Sequence, residues 1–153
     1  VFVEVIQRKE AVVYFNNHLY EVLDSNGIIL SIKQDYQGLS SFPLLVGKDG
    51  QKNINELLSL VNEIGSYQSE VLYYEWVGER RWDVHMKNGL VFKLPENNLS
   101  EGLVVMRMFL NEPEKLLKPI VSVDLRNIDK PIIKFRKAPP EENIQKKAER
   151  LAG

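Results

Sequence analysis

The pair Asn88-Gly89, set between two runs of alternating apolar residues, constrains the fold of this chain more than any other feature. A two-residue hairpin turn needs positive φ at both central positions, and Asn-Gly supplies it at the least steric cost. The turn therefore closes Arg81 to Met86 onto Leu90 to Leu94. Trp82, Val84 and Met86 then face one way and Arg81, Asp83 and His85 the other, while Leu90, Phe92 and Leu94 share a face. Such period-two patterning demands a sheet with one covered side.

Further strand signals lie on both sides of this hairpin. Val1, Val3 and Val5 alternate with Phe2, Glu4 and Ile6; Ala11 to Phe15 is β-branched and aromatic; and Leu19 to Leu23 follows Asn16-Asn17. Asp24-Ser25-Asn26-Gly27 reads as a turn that returns Ile28-Ile29-Leu30 beside Leu19 to Leu23. Residues 35 to 50, with Gly38, Pro43, Gly47 and Gly50, read as a loop holding one apolar insertion, Phe42 to Val46. Val71 to Val77, Ile120 to Arg126 and Pro131 to Lys137 complete the strands, the last after a turn at Asn127 to Lys130.

Two helices interrupt the strands. Ile54, Leu57, Leu58, Val61 and Ile64 line one face of the first, Asn53 and Glu56 stand at capping-box spacing, and Gly65 is placed to end it. The second runs from about Leu99 to Asn111, with Asn98 and Glu101 at cap spacing, Leu99, Leu103, Met106 and Leu110 on one face, and Pro113 stopping it. Met106, Met108 and Phe109 read as core filler. The expected fold class is α+β: a curved, mainly antiparallel sheet with two packed helices. From Ala138 the composition turns to Pro139-Pro140-Glu141-Glu142 and a polar stretch, a flexible or marginally helical tail over 138–153.

The chain has 153 residues, 44% hydrophobic and 27% charged, enough for one core without staples. Twenty basic against 21 acidic side chains leave a net charge of −1, which provides no global field for nucleic acid or an anionic membrane. The absence of cysteine excludes thiol nucleophiles, disulfides and Cys-based metal sites. No apolar run approaches the ~20 residues that span a bilayer. An opening directly on Val1-Phe2-Val3 suggests a fragment of something longer.

Chemistry-bearing motifs are scarce. The two histidines, His18 and His85, lie in different strands without His-x-x-x-His spacing, so no metal site is expected. Asp83 and His85 share a strand face, but no Gly-x-Ser-x-Gly elbow supplies a serine, and both read as solvated residues. Neither a Walker pattern nor Gly-x-Gly-x-x-Gly occurs, so no nucleotide cofactor is expected. A binding module thus outranks an enzyme. Arg80, before Trp82, is either a solvated edge charge or a fork for a partner carboxylate. Residues 130–137 place Lys130, Lys134, Arg136 and Lys137 among Ile132, Ile133 and Phe135. This pattern either protects an edge strand or leaves an edge open to one acidic strand.

The order of these features resembles the periplasmic part of the FtsQ/DivIB family of bacterial cell-division proteins. Val3 to Tyr14 is similar to the end of the family's POTRA module. Leu23-Asp24-Ser25-Asn26-Gly27 is similar to its VD-x-x-G turn, and Phe42 to Gly47 to its LP-x-L-x-G. Arg80-Arg81-Trp82 with Val123-Asp124-Leu125-Arg126 completes the likeness. Glu10 stands where the family usually has Pro, and Phe135 where some members have Trp.

The resemblance implies that residues 1–16 are the last strand of a truncated POTRA module and 17–137 a β domain. It implies a non-enzymatic divisome scaffold at the septum, on the periplasmic side of the inner membrane, anchored by an N-terminal helix absent here. It implies FtsB and FtsL as partners, with FtsB adding a strand to the last strand of the domain and placing an acidic side chain at Arg80. The implied contact set is Arg80, Asn127, Asp129, Lys130, Ile132, Ile133, Lys134, Phe135 and Arg136. Asp124 and Arg126 take structural roles in the same comparison. The rival expectations are a cell-envelope enzyme acting on glycan, which needs two carboxyl groups about 5–9.5 Å apart across a cleft, and a structural domain whose last strand takes no partner.

Overall fold

A computed structural model describes residues 2–5, 7–137 and 149–152; of the expected tail, 138–148 and 153 fall outside them, and 149–152 are helical and exposed. The strands are β1 (Val12–Asn16), β2 (Leu19–Leu23), β3 (Ile29–Lys33), β4 (Leu44–Val46), β5 (Val71–Val77), β6 (Arg81–Met86), β7 (Val91–Lys93), β8 (Ile120–Asp124) and β9 (Ile132–Phe135). The helices are α1 (Ile54–Ile64), α2 (Leu99–Leu110) and the one-turn α3 (Glu114–Leu117). All nine strands form one sheet in the order β3-β2-β1-β4-β5-β6-β7-β8-β9. Pairing is antiparallel at β1-β2, β2-β3, β5-β6, β6-β7 and β8-β9, and parallel at β1-β4, β4-β5 and β7-β8. The expected α+β class, mainly antiparallel with two packed helices, is the observed one.

Each parallel step after β4 needs a crossover, and α1 and α2 supply those from β4 to β5 and from β7 to β8. Between these helices and the sheet lies the main core, with Leu45, Leu57, Leu60, Tyr74, Trp82, Val84, Phe92, Leu103, Met106 and Val123 all buried. Trp82 stacks obliquely on Trp76 at 4.8 Å, and its indole N–H donates to Glu56 Oε1 at 2.8 Å, tying α1 to β6. On the other side of the sheet, Val13 and Val22 meet Leu39, with Tyr36 and Phe42 packed against them. The 35–43 loop therefore covers that face over β1 and β2.

The hairpin forms at the expected place, but of the Asn88-Gly89 pair only Gly89 takes positive φ, and the connection is a three-residue loop, Lys87 to Gly89, closed by Met86 and Leu90, rather than a two-residue turn. Gly89 has φ +91°, the Leu90 N–H donates to Asn88 Oδ1 at 3.0 Å, and the Met86 N–H donates to the Leu90 carbonyl at 2.8 Å. Gly65, φ +62°, ends α1. At the first turn, Asp24 Oδ1 accepts from the Asn26 and Ile28 N–H groups, both at 2.9 Å.

Several expectations are corrected. Residues 2–5 lie in no strand and Phe2, Val3 and Val5 are exposed, because alternation builds a strand only where a neighbour can pair with it. Phe42 to Val46 is not merely a loop insertion: β4 is a strand held on both sides, by β1 and β5. Neither Asn53 nor Asn98 caps with its side chain. A 3-10 turn over Gly50–Asn53 already leads into α1, and Asn98 is left-handed at φ +61°, outside the extended conformation that a side-chain cap uses. In α1, Leu60 is fully buried and Leu58 only partly. Met108 is exposed rather than core.

The expected boundary at residue 16 has no counterpart as a break in the sheet. β1 is hydrogen-bonded to strands on both sides and places Val12 and Tyr14 in one core and Val13 in the other.

Candidate functional site

The two ends of the sheet are β3 and β9, and β9 carries the residues the sequence singled out. It pairs antiparallel with β8 in the register Asp124↔Ile132, Val123↔Ile133, Ser122↔Lys134 and Ile120↔Phe135, with an irregularity between Ile120 and Ser122. Residues opposite each other share a face. Ile133 therefore lies on the helix-covered side with Val123, whereas Ile132 and Lys134 lie on the open side with Asp124 and Ser122. All four β9 residues are exposed, Ile132 at 60% and Phe135 at 59%. Among the described residues no strand lies on its outer edge.

The turn into β9 is built from its own polar groups. Asn127 Oδ1 accepts from the Asp129 N–H at 3.2 Å, and the Asn127 carbonyl accepts from the Lys130 N–H at 3.1 Å. Beyond β9, the Arg136 N–H donates to the Pro119 carbonyl at 2.7 Å, holding the strand's exit against the start of β8. Asn127, Asp129, Lys130, Ile132, Ile133, Lys134, Phe135 and Arg136 are thus one contiguous feature.

Arg80 is placed elsewhere. It is exposed in the turn between β5 and β6, and β7 and β8 intervene between β6 and β9. The registers Asp83↔Lys93, Lys93↔Asp124 and Asp124↔Ile132 put the start of β6, the end of β8 and the start of β9 at one end of the sheet. Arg80 and the 127–130 turn therefore share an end, three strand spacings or roughly 14 Å apart. A ligand touching both must cross the sheet end.

The open face between them is polar and already paired. Asp124 and Arg126 form a bidentate ion pair, with Arg126 Nη2 2.6 Å from Asp124 Oδ2. The Arg126 hydrogen bond holds the Asp124 carboxyl below its ordinary range and raises the guanidinium in turn. Arg81 pairs with Asp83 at 3.2 Å, and His85 Nε2 lies 2.7 Å from Glu75 Oε2 while its ring stacks on Tyr73 at 4.2 Å. Asp83 is 5% exposed, so reading it as solvated is wrong: burial pushes its carboxyl up, against the Arg81 hydrogen bond. Periodicity placed Arg81 and Asp83 side by side on the open face but gave no sign that Asp83 would be buried there.

Glu75 and Asp83 are direct cross-strand partners, the arrangement nearest to what glycan hydrolysis requires. They stand on adjacent strands of one sheet face rather than on opposing walls, and each is already held by a basic side chain. Among the described residues, no group of three or more His, Asp or Glu side chains is arranged to hold a metal, and no helix is long and apolar enough to cross a membrane.

Comparison of the chain with known families gives its class, the bacterial cell-division proteins. The model described as "Cell division protein FtsQ/DivIB, C-terminal" matches residues 11–126, and the chain therefore belongs to the FtsQ/DivIB family. The matched stretch takes in β1 to β8 and stops before β9. Relatives named cell division protein FtsQ include that of Zymomonas mobilis, 31% identical over 85% of this chain and 41% of the relative. Those of Rhizobium radiobacter and Bradyrhizobium diazoefficiens are 28% and 26% identical, over 78% and 100% of this chain and 57% and 45% of theirs. The chain thus spans about half the length of the relatives it matches. Among solved structures, the major extracytoplasmic domain of DivIB from Geobacillus stearothermophilus aligns over 71% of this chain and all of its own, at 16% identity and a TM-score of 0.48.

Proposed function

We propose that this chain is the partner-binding part of a non-enzymatic divisome scaffold, and that it takes an acidic segment of FtsB, with FtsL beside it, as an added strand on β9. The observation that carries the reading is the outer edge of β9: a strand exposed along its whole length, at the end of a sheet, with apolar side chains between cations. Strand addition draws affinity from main-chain hydrogen bonds and selectivity from alternate side chains. Phe135 and Ile132 are the apolar contacts, and Lys134, Arg136 and Lys130 neutralise the partner's carboxylates. Arg80 receives a separate acidic group where the partner crosses the sheet end. Family membership supports the cell-division role. In the complete protein, a POTRA module and an N-terminal membrane helix precede this region and hold it on the periplasmic side of the inner membrane at the septum.

Hydrogen exchange on the chain with and without the periplasmic FtsB segment tests the mode of binding. Added-strand pairing slows exchange at those amides of Ile132 to Phe135 that face away from β8. Binding that leaves those amides unprotected would assign the partner to another surface, and the edge of β9 would then be only a guarded one.

A further inference from the structure

The turn that carries Arg80 has a particular construction. Val77 and Arg81 are the last facing pair of β5 and β6, and Gly78, Glu79 and Arg80 join them, with the Arg80 N–H donating to the Val77 carbonyl at 3.2 Å. Gly78 and Glu79 both lie in the left-handed region, at φ +59° and +56°. Glycine takes that conformation freely, whereas a glutamate there is strained. A Cβ on Gly78 would stand 3.7 Å from Arg80 Nε and 3.9 Å from Arg80 Cγ, so the arginine side chain lies back across the glycine.

The charges around this corner are matched, with one remainder. Gly47 lies against the Trp76 backbone, which brings Lys48 beside the β5-β6 turn, and Lys48 Nζ reaches Glu79 Oε1 at 3.1 Å. Lys52 pairs with Asp49 at 3.2 Å, and Arg81 with Asp83 at 3.2 Å. Arg80 forms no ion pair among the described residues, although Glu79 is its neighbour in the chain. The Glu79 hydrogen bond is also what chiefly holds the Lys48 ammonium above its ordinary range, ahead of Asp49. Glu79 is thus committed to a cation outside its own turn. A guanidinium pairs with a carboxylate through two parallel hydrogen bonds, so a carboxylate within the turn would compete directly with one arriving from outside.

We propose, on the reading that Arg80 receives an acidic group of the added segment, that Lys48 is a positioning residue for that contact: by holding Glu79 it keeps the carboxylate adjacent in the chain off Arg80, whose guanidinium stays open to a carboxylate of the partner. Lys48 acts here through Glu79 and not through its own charge.

The test is a mutant cycle with two readouts. In the free 153-residue chain, the Arg80 Nε–Hε NMR signal is followed in Lys48→Met, in Glu79→Gln and in the double variant. The signal is expected to shift in Lys48→Met, as Glu79 turns to Arg80, and to return to its parent position in the double variant. In calorimetric titrations with the periplasmic FtsB segment, Lys48→Met is expected to weaken binding about three- to fivefold, the worth of one exposed ion pair. Glu79→Gln alone is expected to leave affinity unchanged, and the double variant to bind as the parent does. That non-additivity is the signature of coupling, since a general charge effect would let Glu79→Gln strengthen binding on its own by as much as it restores. Arg80→Gln is expected to weaken binding and to make it indifferent to Lys48→Met. An Arg80 signal unmoved by Lys48→Met, or additive effects across the cycle while Arg80→Gln still weakens binding, would overturn the role of Lys48 alone. No binding by the parent, or full affinity in Arg80→Gln, would instead overturn Arg80 as a partner contact, and the role of Lys48 with it.

Discussion

At the residue scale, side chains that satisfy backbone groups decide more than their number suggests. The Asp24 carboxylate accepts from the Asn26 and Ile28 N–H groups and from Arg8 Nη1 at 2.8 Å, and it is 3% exposed. The Ile28 hydrogen bond first, and Arg8 next, hold its carboxyl below the ordinary value of 3.8. A carboxyl lowered by folding contributes stability above its unfolded pKa, and that contribution is lost as pH falls through the folded value. Asp24→Asn is therefore expected to be less stable than the parent at pH 7, with the gap closing as pH drops below the ordinary carboxyl range. Urea unfolding at several pH values measures it, and a gap independent of pH would refute the electrostatic account. Gly47 is constrained for a different reason. Its φ is +106°, and a Cβ there would stand 2.3 Å from the Trp76 carbonyl oxygen. Gly47→Ala is expected to destabilise by at least about 1–3 kcal/mol, read by urea unfolding, because strain and a backbone clash coincide.

At the element scale, what the sequence disclosed follows from how local each signal is. The β6-β7 hairpin and α1 were readable because a turn residue or a 3.6-residue period is written within a dozen positions. β4 was not, since three apolar residues in a Pro- and Gly-containing loop become a strand only when β1 and β5 arrive on either side, and parallel pairing leaves no local trace. The first residues erred the other way, showing strand patterning without a partner. The same contrast governs the candidate site. The alternation of cations and large apolar side chains marked β9 correctly as exposed, and the registers then showed that Arg80 shares only its end of the sheet. No spacing in the chain encodes the number of strands between them. Because Lys134 is exposed and forms no ion pair among the described residues, Lys134→Glu is expected to change stability by less than about 0.5 kcal/mol. Under the proposed strand addition, the same substitution is expected to slow association with the acidic FtsB segment. Stopped-flow association rates beside urea unfolding separate the two effects, and an unaltered rate would remove Lys134 from the contact set.

At the scale of the whole molecule, one layer of helices and one sheet leave two unlike surfaces. The helix side carries the larger core. The open side is covered by the 35–43 loop over β1 and β2, and over β5 to β8 by the Arg81–Asp83 and Arg126–Asp124 ion pairs and the His85–Glu75 hydrogen bond, so its polar groups are mostly satisfied within the fold. The sheet leaves two edges unpaired among the described residues, β3 and β9, and of these β9 is the one exposed at every residue. That asymmetry argues for recognition by addition at β9 rather than for a reaction on the open face.

The most direct test is a calorimetric titration of this chain with the periplasmic segment of FtsB fused to that of FtsL, at two salt concentrations, beside the Phe135→Ala variant. Rim cations make binding sensitive to salt, and truncating an aromatic anchor at a hot spot removes about 2–4 kcal/mol. The account predicts binding that weakens as salt rises and falls well over tenfold in the folded variant. Affinity that barely moves with Phe135→Ala, or no binding by the folded chain, would contradict it.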